Sequence, residues 1–398
     1  MEKPSTLAGA RRTHHFGETI FSEFTALAQR HGAVNLGQGA PDFAPPGFVL
    51  EAGRAAMEAP EHQYARGPGH PPLVQALARD LSPSFGRQLD PLAEITITVG
   101  CTEGLFATAM ALIDPGDEVI MVEPFYDSYP PDTIIAGGVP RYVPLREDGR
   151  GGWALDPDEL RAVFSDRARV IFLNTPHNPS GKVFSVQELE LIAELCQRHD
   201  VIAVCDEVYE HIVFDEAEHV RLASLDGMWD RTVTLSSAGK TFSVTGWKIG
   251  WVVAPAPLCA AVVRVHQWMP FSVATPLQAA ICRTLTEAPG RDYYGWLRRM
   301  YQDKRDRLVD LLRATPLTPL VPQGTYFIVA DTSALAGDFS NDVDVCRYLT
   351  TEIGVAAIPP SAFYSEPHKH LARHHARFCF CKEDATLDAA GERLARLG

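Results

Sequence analysis

Five short segments carry the side chains that could do chemistry, and each follows a run of apolar residues. They are Gly100-Cys101-Thr102-Glu103-Gly104, Glu123-Pro124-Phe125-Tyr126, Asn174 to Gly181 (NTPHNPSG), Asp206-Glu207-Val208-Tyr209-Glu210, and Ser236 to Phe242 (SSAGKTF) with Thr245-Gly246-Trp247-Lys248 just beyond. Brought together they supply a lysine, a carboxylate, an amide, an aromatic ring, two hydroxyls, a second lysine and the start of a helix. Pyridoxal phosphate needs that set. A lysine amine condenses with its aldehyde. A carboxylate keeps the pyridine nitrogen protonated, so that the ring can draw off carbanion charge. Free N–H groups at a helix N-terminus, with a hydroxyl and a basic residue, hold the phosphate dianion.

Elements of a particular kind must position them. The spacing predicts strands at Ile95–Val99, Glu118–Val122, Val170–Leu173, Val201–Cys205 and Thr232–Leu235, and a helix at Thr102–Ile113. Ser185 and Glu188 form a capping box that opens a helix with Leu189, Ile192 and Cys196 on its buried side. Strands alternating with helices argue for a mainly parallel sheet covered on both faces. In such a sheet, ligands bind beyond the carboxyl ends of the strands, where these segments lie. Ahead of the sheet, Ile20, Phe21, Phe24, Leu27 and Ala28 recur at helical spacing, with Gly32 just past the end. Beyond Pro289-Gly290, a helix at Tyr293–Arg313 and strands at Tyr326–Ala330 and Arg377–Cys381 suggest a second, smaller α+β domain. The division expected is 1–45 for an arm and helix joining the small domain, 46–289 for the large domain and 290–398 for the small one.

Composition narrows the partners. The 398 residues carry 50 acidic against 36 Lys and Arg side chains, a net charge of −14. Such a surface repels nucleic acid and anionic lipid. The most apolar stretch, Val252–Val263, has twelve residues and two prolines, well short of the roughly 20 that a spanning helix needs. The chain opens on Met1-Glu2-Lys3-Pro4, without the apolar core of a secretory signal. Eight cysteines at irregular spacing read as reduced, mostly buried thiols, and the expected location is the cytoplasm.

Five motifs in order, NLGQGAPDF, NTPHNPSG, DEVYEH, SSAGKTFSVTGWKIGW and ARFCF, resemble those of fold-type I, class I/II pyridoxal-phosphate-dependent aminotransferases. The likeness runs from about Ile20 to Leu397 and is nearest to the branch of bacterial methionine aminotransferases and kynurenine aminotransferase/cysteine-conjugate β-lyases. It implies that Lys240 carries the internal aldimine and moves the proton between substrate Cα and cofactor C4′. Asp206 would pair with the pyridine nitrogen, Asn178 and Tyr209 would bond the phenolic oxygen, and Tyr126 would stack on the ring. The N–H groups of Cys101 and Thr102, with Ser237 and Lys248, would hold the phosphate. Tyr64 would reach the phosphate of a neighbouring subunit, which makes a homodimer. Arg377 would clamp the substrate carboxylate, Gly39 would approach the same substrate, and Phe21 would line its side-chain pocket.

The implied reaction is ping-pong transamination between a 2-oxo acid and an L-amino acid with a large uncharged side chain, such as methionine, an aromatic or kynurenine. Cysteine-conjugate β-elimination on the same scaffold is the alternative, and a non-catalytic pyridoxal-phosphate-binding regulator is a rival of another class. The turn Cys101-Thr102-Glu103 departs from the kynurenine branch, and the stretch from Val265 to Pro276 resembles the methionine branch. Arg66 is the one candidate nearby for a second arginine. His368, His370, His374 and His375 lack metal-ligand spacing and are expected on a solvated loop and helix surface, so no metal is expected. His211 is expected to be a packed or surface residue. Gly37-x-Gly39 lacks the third glycine of a dinucleotide loop.

Overall fold

A computed structural model of the chain describes residues 10–14 and 16–398. The first nine residues of the expected arm, and His15, lie outside the described residues. Helix α1 (Ile20–His31) opens on the Thr19 side chain, which accepts from the Ser22 N–H, and closes on Gly32 at φ +58°. Strand β1 (Val34–Asn35), α2 (Gly47–Glu58) and α3 (Pro71–Leu81) lead to β2 (Ile95–Val99) and α4 (Gly100–Leu112). Then come β3 (Glu118–Glu123), α5 (Tyr129–Ala136), β4 (Val139–Glu147), β5 (Trp153–Leu155), α6 (Pro157–Val163), β6 (Ala168–Asn174), α7 (Val186–His199) and β7 (Ile202–Asp206). The middle of the chain continues through β8 (Thr232–Ser237), the single turn α8 (Ala238–Thr241), β9 (Ile249–Val253), α9 (Ala256–His266) and α10 (Thr275–Glu287). The remainder holds α11 (Tyr293–Arg313), β10 (Thr318–Leu320), β11 (Phe327–Asp331), α12 (Asp342–Tyr348), β12 (Val355–Ala356), β13 (His375–Cys379) and α13 (Asp384–Leu394).

The main sheet has the order β2-β9-β8-β7-β6-β3-β4-β5. Neighbours from β8 through β4 run parallel, while β9 is antiparallel to both β2 and β8 and β5 is antiparallel to β4. Alternate residues of its central strands enter two separate cores. Val170, Phe172, Ile202 and Val204 face one, and Ile171, Leu173, Ala203 and Cys205 face the other. That period of two explains why these strands read as unbroken apolar runs. The expected strands all form, and so does the Ser185–Glu188 capping box. Strand β9 was not expected, because Pro255 divides the apolar stretch 252–263 into the end of a strand and the start of a helix.

A three-stranded antiparallel sheet, β10-β11-β13, lies in the C-terminal part, and β1 pairs in parallel with β12 through Val34↔Val355. The N-terminal segment is thereby tied to the C-terminal one. The expectation of a solvated surface holds for His370 and His374, which are exposed, and needs correction for the other two histidines. His375 is buried on β13 and bonds the Glu147 carboxylate at 2.7 Å, and His368 bonds Glu123. Both acids come from strands of the main sheet, so these imidazoles tie the C-terminal segment to it instead of facing water.

Candidate active site

Strands β6, β7 and β8 end side by side. Asn174 lies opposite Asp206 and Asp206 opposite Leu235, two residues before Ser237. Asn174 fastens the first two ends: its Nδ2 donates to the Asp206 carbonyl at 2.8 Å, and its Oδ1 accepts the Asn178 N–H at 2.7 Å. Beyond β8 the chain turns at once into α8, which carries Lys240. At the end of β2, Gly100 takes φ +69°, a value glycine reaches without strain, and starts α4 with its first N–H groups at the same mouth.

These ends enclose a cavity of about 380 Å³. Phe21, Gly39, Cys101, Thr102, Tyr126, Asn178, Asp206, Tyr209, Ser237, Lys240, Lys248 and Arg377 all line it. Of the residues assigned to cofactor or substrate in the sequence, Tyr64 alone stands elsewhere. It is 81% exposed, with its ring edge-on to Phe271 at 5.1 Å. Arg66 is turned away to the Leu92 carbonyl at 2.6 Å, so among the described residues no second arginine joins Arg377 at the cavity. His211 is packed on the Tyr294 ring at 4.3 Å.

The charges around the cavity are unpaired, with Arg377 and Asp206 buried, Lys240 partly so and Lys248 exposed. Among the described residues Arg377, Lys240, Lys248 and Asp206 have no ion-pair partner within 4 Å. The Arg377 guanidinium donates to the Gly37 carbonyl at 2.7 Å and to Asn178 Oδ1 at 3.3 Å, and its Nε has no acceptor. Phe21, Phe327 and Phe363 surround it at 4.3–5.2 Å. Burial lowers its proton affinity, yet a guanidinium remains a cation. Lys240 Nζ donates to the Tyr326 hydroxyl at 2.8 Å, and Tyr326 donates to the Gly39 carbonyl at 2.8 Å. Burial is also the main cause that pulls the Lys240 ammonium below its ordinary range, which favours the free, nucleophilic amine. Asp206 is pushed up by burial and drawn back by the Tyr129 hydroxyl, the Val208 N–H and the Cys101 thiol. Lys248 extends its ammonium over Gly100, so close that a Cβ there would stand 2.8 Å from Nζ.

A cavity so charged fits an anion at the start of α4, a cationic ring at Asp206 and a carboxylate at Arg377. Pyridoxal phosphate with a bound amino acid presents those three groups. Three residues that matter here were not singled out in the sequence: Tyr326 and Phe327, which reach the site from β11 and the residue before it, and Tyr129. Tyr129 follows Tyr126 at helical spacing, the one signal that could have found it.

Residues 31–394 match the family described as aminotransferase class I and II. A kynurenine–oxoglutarate transaminase of Dictyostelium discoideum is 44% identical over 98% of this chain and 97% of its own length. The solved N-succinyldiaminopimelate aminotransferase of Mycobacterium tuberculosis superposes with a TM-score of 0.93 at 43% identity, covering 98% of this chain and all of that one. YbdL of Escherichia coli, described with a methionine aminotransferase function, gives 0.92 at 39% identity, with 98% and 100% covered.

Proposed function

This chain belongs to the aminotransferase class I and II family and is an aminotransferase, and we propose that its amino donor is an L-amino acid with a large uncharged side chain, methionine or an aromatic. The family is pyridoxal-phosphate-dependent. When bound, that cofactor supplies an aldehyde for the amine and a ring that accepts carbanion charge.

The residues divide the work. Lys240 Nζ would attach the cofactor and then move the proton at the substrate Cα. Asp206 would accept from the ring nitrogen, Asn178 and Tyr209 would hold the phenolic oxygen, and Tyr126 would stack on the ring. Ser237, Lys248 and the Cys101 and Thr102 N–H groups would take the phosphate. Arg377 binds the α-carboxylate beside Gly39, and Phe21 borders the side-chain end. The observation that carries this reading is the buried, unpaired Arg377 guanidinium ringed by phenyl groups. It provides one carboxylate clamp in apolar surroundings, and among the described residues no second arginine lines the cavity for a dicarboxylic donor.

The reading extends to a cytoplasmic homodimer in which Tyr64 serves the partner's phosphate, and to a division of the chain at 45 and 289. Support for the dimer comes from Tyr64 and Phe271, adjacent and mostly exposed, and from Trp268 at 84% exposure. Exposed aromatics of this size suit an interface.

The decisive experiment follows the visible spectrum of the cofactor-loaded protein on adding L-methionine, L-phenylalanine or L-kynurenine, then a 2-oxo acid. The expected result is loss of the cofactor band and its return, the two halves of a ping-pong cycle. A band unchanged by all three donors, or Lys240→Ala turning over at the wild-type rate, overturns the reading.

A further inference from the structure

Asp206 is a buried carboxylate with no ion-pair partner within 4 Å among the described residues, and the side chains and N–H group that bond it are donors. The Tyr129 hydroxyl donates to Oδ2 at 2.8 Å. The Val208 N–H and the Cys101 thiol face Oδ1 at 3.3 and 3.7 Å. Tyr129 is held firmly in turn. It opens α5, lies flat on Phe172 of β6 with ring centres 5.0 Å apart and planes 7° apart, and sets its edge against Tyr126 at 5.6 Å. One side chain therefore touches both the carboxylate assigned to the pyridine nitrogen and the aromatic ring assigned to the cofactor's face.

We propose that Tyr129 is a positioning residue for the cofactor: its hydroxyl keeps Asp206 aimed and ionised, its ring fixes Tyr126, and Cys101 supports the same carboxylate from the start of α4. The inference rests on the reading above, in which Asp206 accepts from the pyridine nitrogen. Only the ionised carboxylate can stabilise a protonated ring nitrogen, and burial works against that form. A hydroxyl donating to the charged oxygen counteracts it. Burial and the nearby carboxylate push the phenol's own pKa well above its usual range, so Tyr129 stays a donor. Cys101 joins the two ends of the site, with its backbone N–H in the first turn of the phosphate helix and its thiol towards Asp206.

The test is a double-mutant cycle read as the equilibrium affinity of the apoprotein for pyridoxal phosphate, with wild type, Tyr129→Phe, Asp206→Asn and the double variant. Tyr129→Phe keeps both ring contacts and should weaken binding about tenfold, the effect of one hydrogen bond to a charged group. In the Asp206→Asn background the same change should cost less than about twofold, because the charge it serves is gone. The apoprotein melting temperature of Tyr129→Phe should match wild type. Full multiplication of the two effects, or a melting loss in step with the affinity loss, assigns Tyr129 to packing and overturns the proposal. Wild-type affinity in Asp206→Asn is a different failure: it removes the role given to Asp206, and the proposal falls with it.

Discussion

Phe327 lies under Arg377, the guanidinium 4.3 Å from the ring centre. The antiparallel register sets Val329 opposite Arg377 and Phe327 opposite Cys379, so the phenyl is the diagonal neighbour of the arginine on one face of the small sheet. An aromatic face stabilises the cation without neutralising it, which leaves the guanidinium free for a ligand carboxylate. Arg377→Lys should therefore keep a charge but lose the two-pronged grip. The expected loss is about 2–3 kcal/mol, roughly a hundredfold in kcat/KM for amino donor and oxo-acid acceptor alike. Steady-state kinetics with both substrates decides it. A loss confined to one of them would mean that the two carboxylates bind in different places.

Behind the site, Arg221 forks between Glu207 and Glu210, the residues that flank Val208 and Tyr209. Glu210 also accepts from Ser236 at 2.7 Å, and His219 bonds Glu207 at 3.0 Å. The network thus joins the ends of β7 and β8 just below Tyr209 and Ser237. Arg221 holds the Glu210 carboxyl down at about 2 against the opposing effect of burial. Arg221→Met would leave two buried carboxylates without their cation and should destabilise the apoprotein by about 3–5 kcal/mol in urea unfolding. Replacing Glu207, Glu210 and Arg221 together by apolar residues should cost less than the single change.

The division between what could be read in the sequence and what could not follows from how each residue is held. Lys240, Asp206, Asn178 and Ser237 come within a few residues of a strand end, so a strand pattern already places them at one edge of a sheet. Tyr326 and Phe327 belong to a strand that was expected, but their approach to Lys240 and Arg377 depends on how the C-terminal segment docks over the main sheet, a relation between distant parts of the chain. His375 was misjudged for the same reason. Its partner Glu147 is on β4, a strand without a clear pattern, since its first residues are partly exposed and Pro140 and Pro144 interrupt it. Strand β9 was hidden by its continuity with the apolar start of α9.

Asp132, in the first turn of α5, predicts a pH effect on stability. Burial raises its carboxyl from 3.8 to about 7, against a lowering by the Ser128 hydroxyl at 3.1 Å. Between those values the folded chain keeps a proton that the unfolded chain has lost, so stability falls as pH rises through the window. Asp132→Asn removes that proton uptake. Wild type should gain melting temperature relative to the variant on going from about pH 8 to about pH 5, with the apoprotein scanned at each. Parallel pH profiles would place the titration elsewhere.

Phe21 brings the N-terminal helix into the question of specificity. Phe24 and Ala28 bury the inner face of α1, and the pairing of β1 with β12 holds the chain that follows, so the helix presents Phe21 at a fixed place. The ring lines the cavity, packs on Phe363 at 5.8 Å and stands 5.1 Å from the Arg377 guanidinium. Phe21→Ala therefore acts on two terms. Loosening of Arg377 would weaken every amino acid equally, because every one carries the carboxylate. Loss of apolar contact would weaken only donors whose side chains reach the ring, by about 1–3 kcal/mol. The ratio of kcat/KM for methionine over alanine cancels the first term and isolates the second. It should fall about ten- to a hundredfold in Phe21→Ala and return most of the way in Phe21→Leu. An unchanged ratio with a uniform drop would make Phe21 a support for Arg377, and the side-chain pocket would then have to lie on another wall of the cavity.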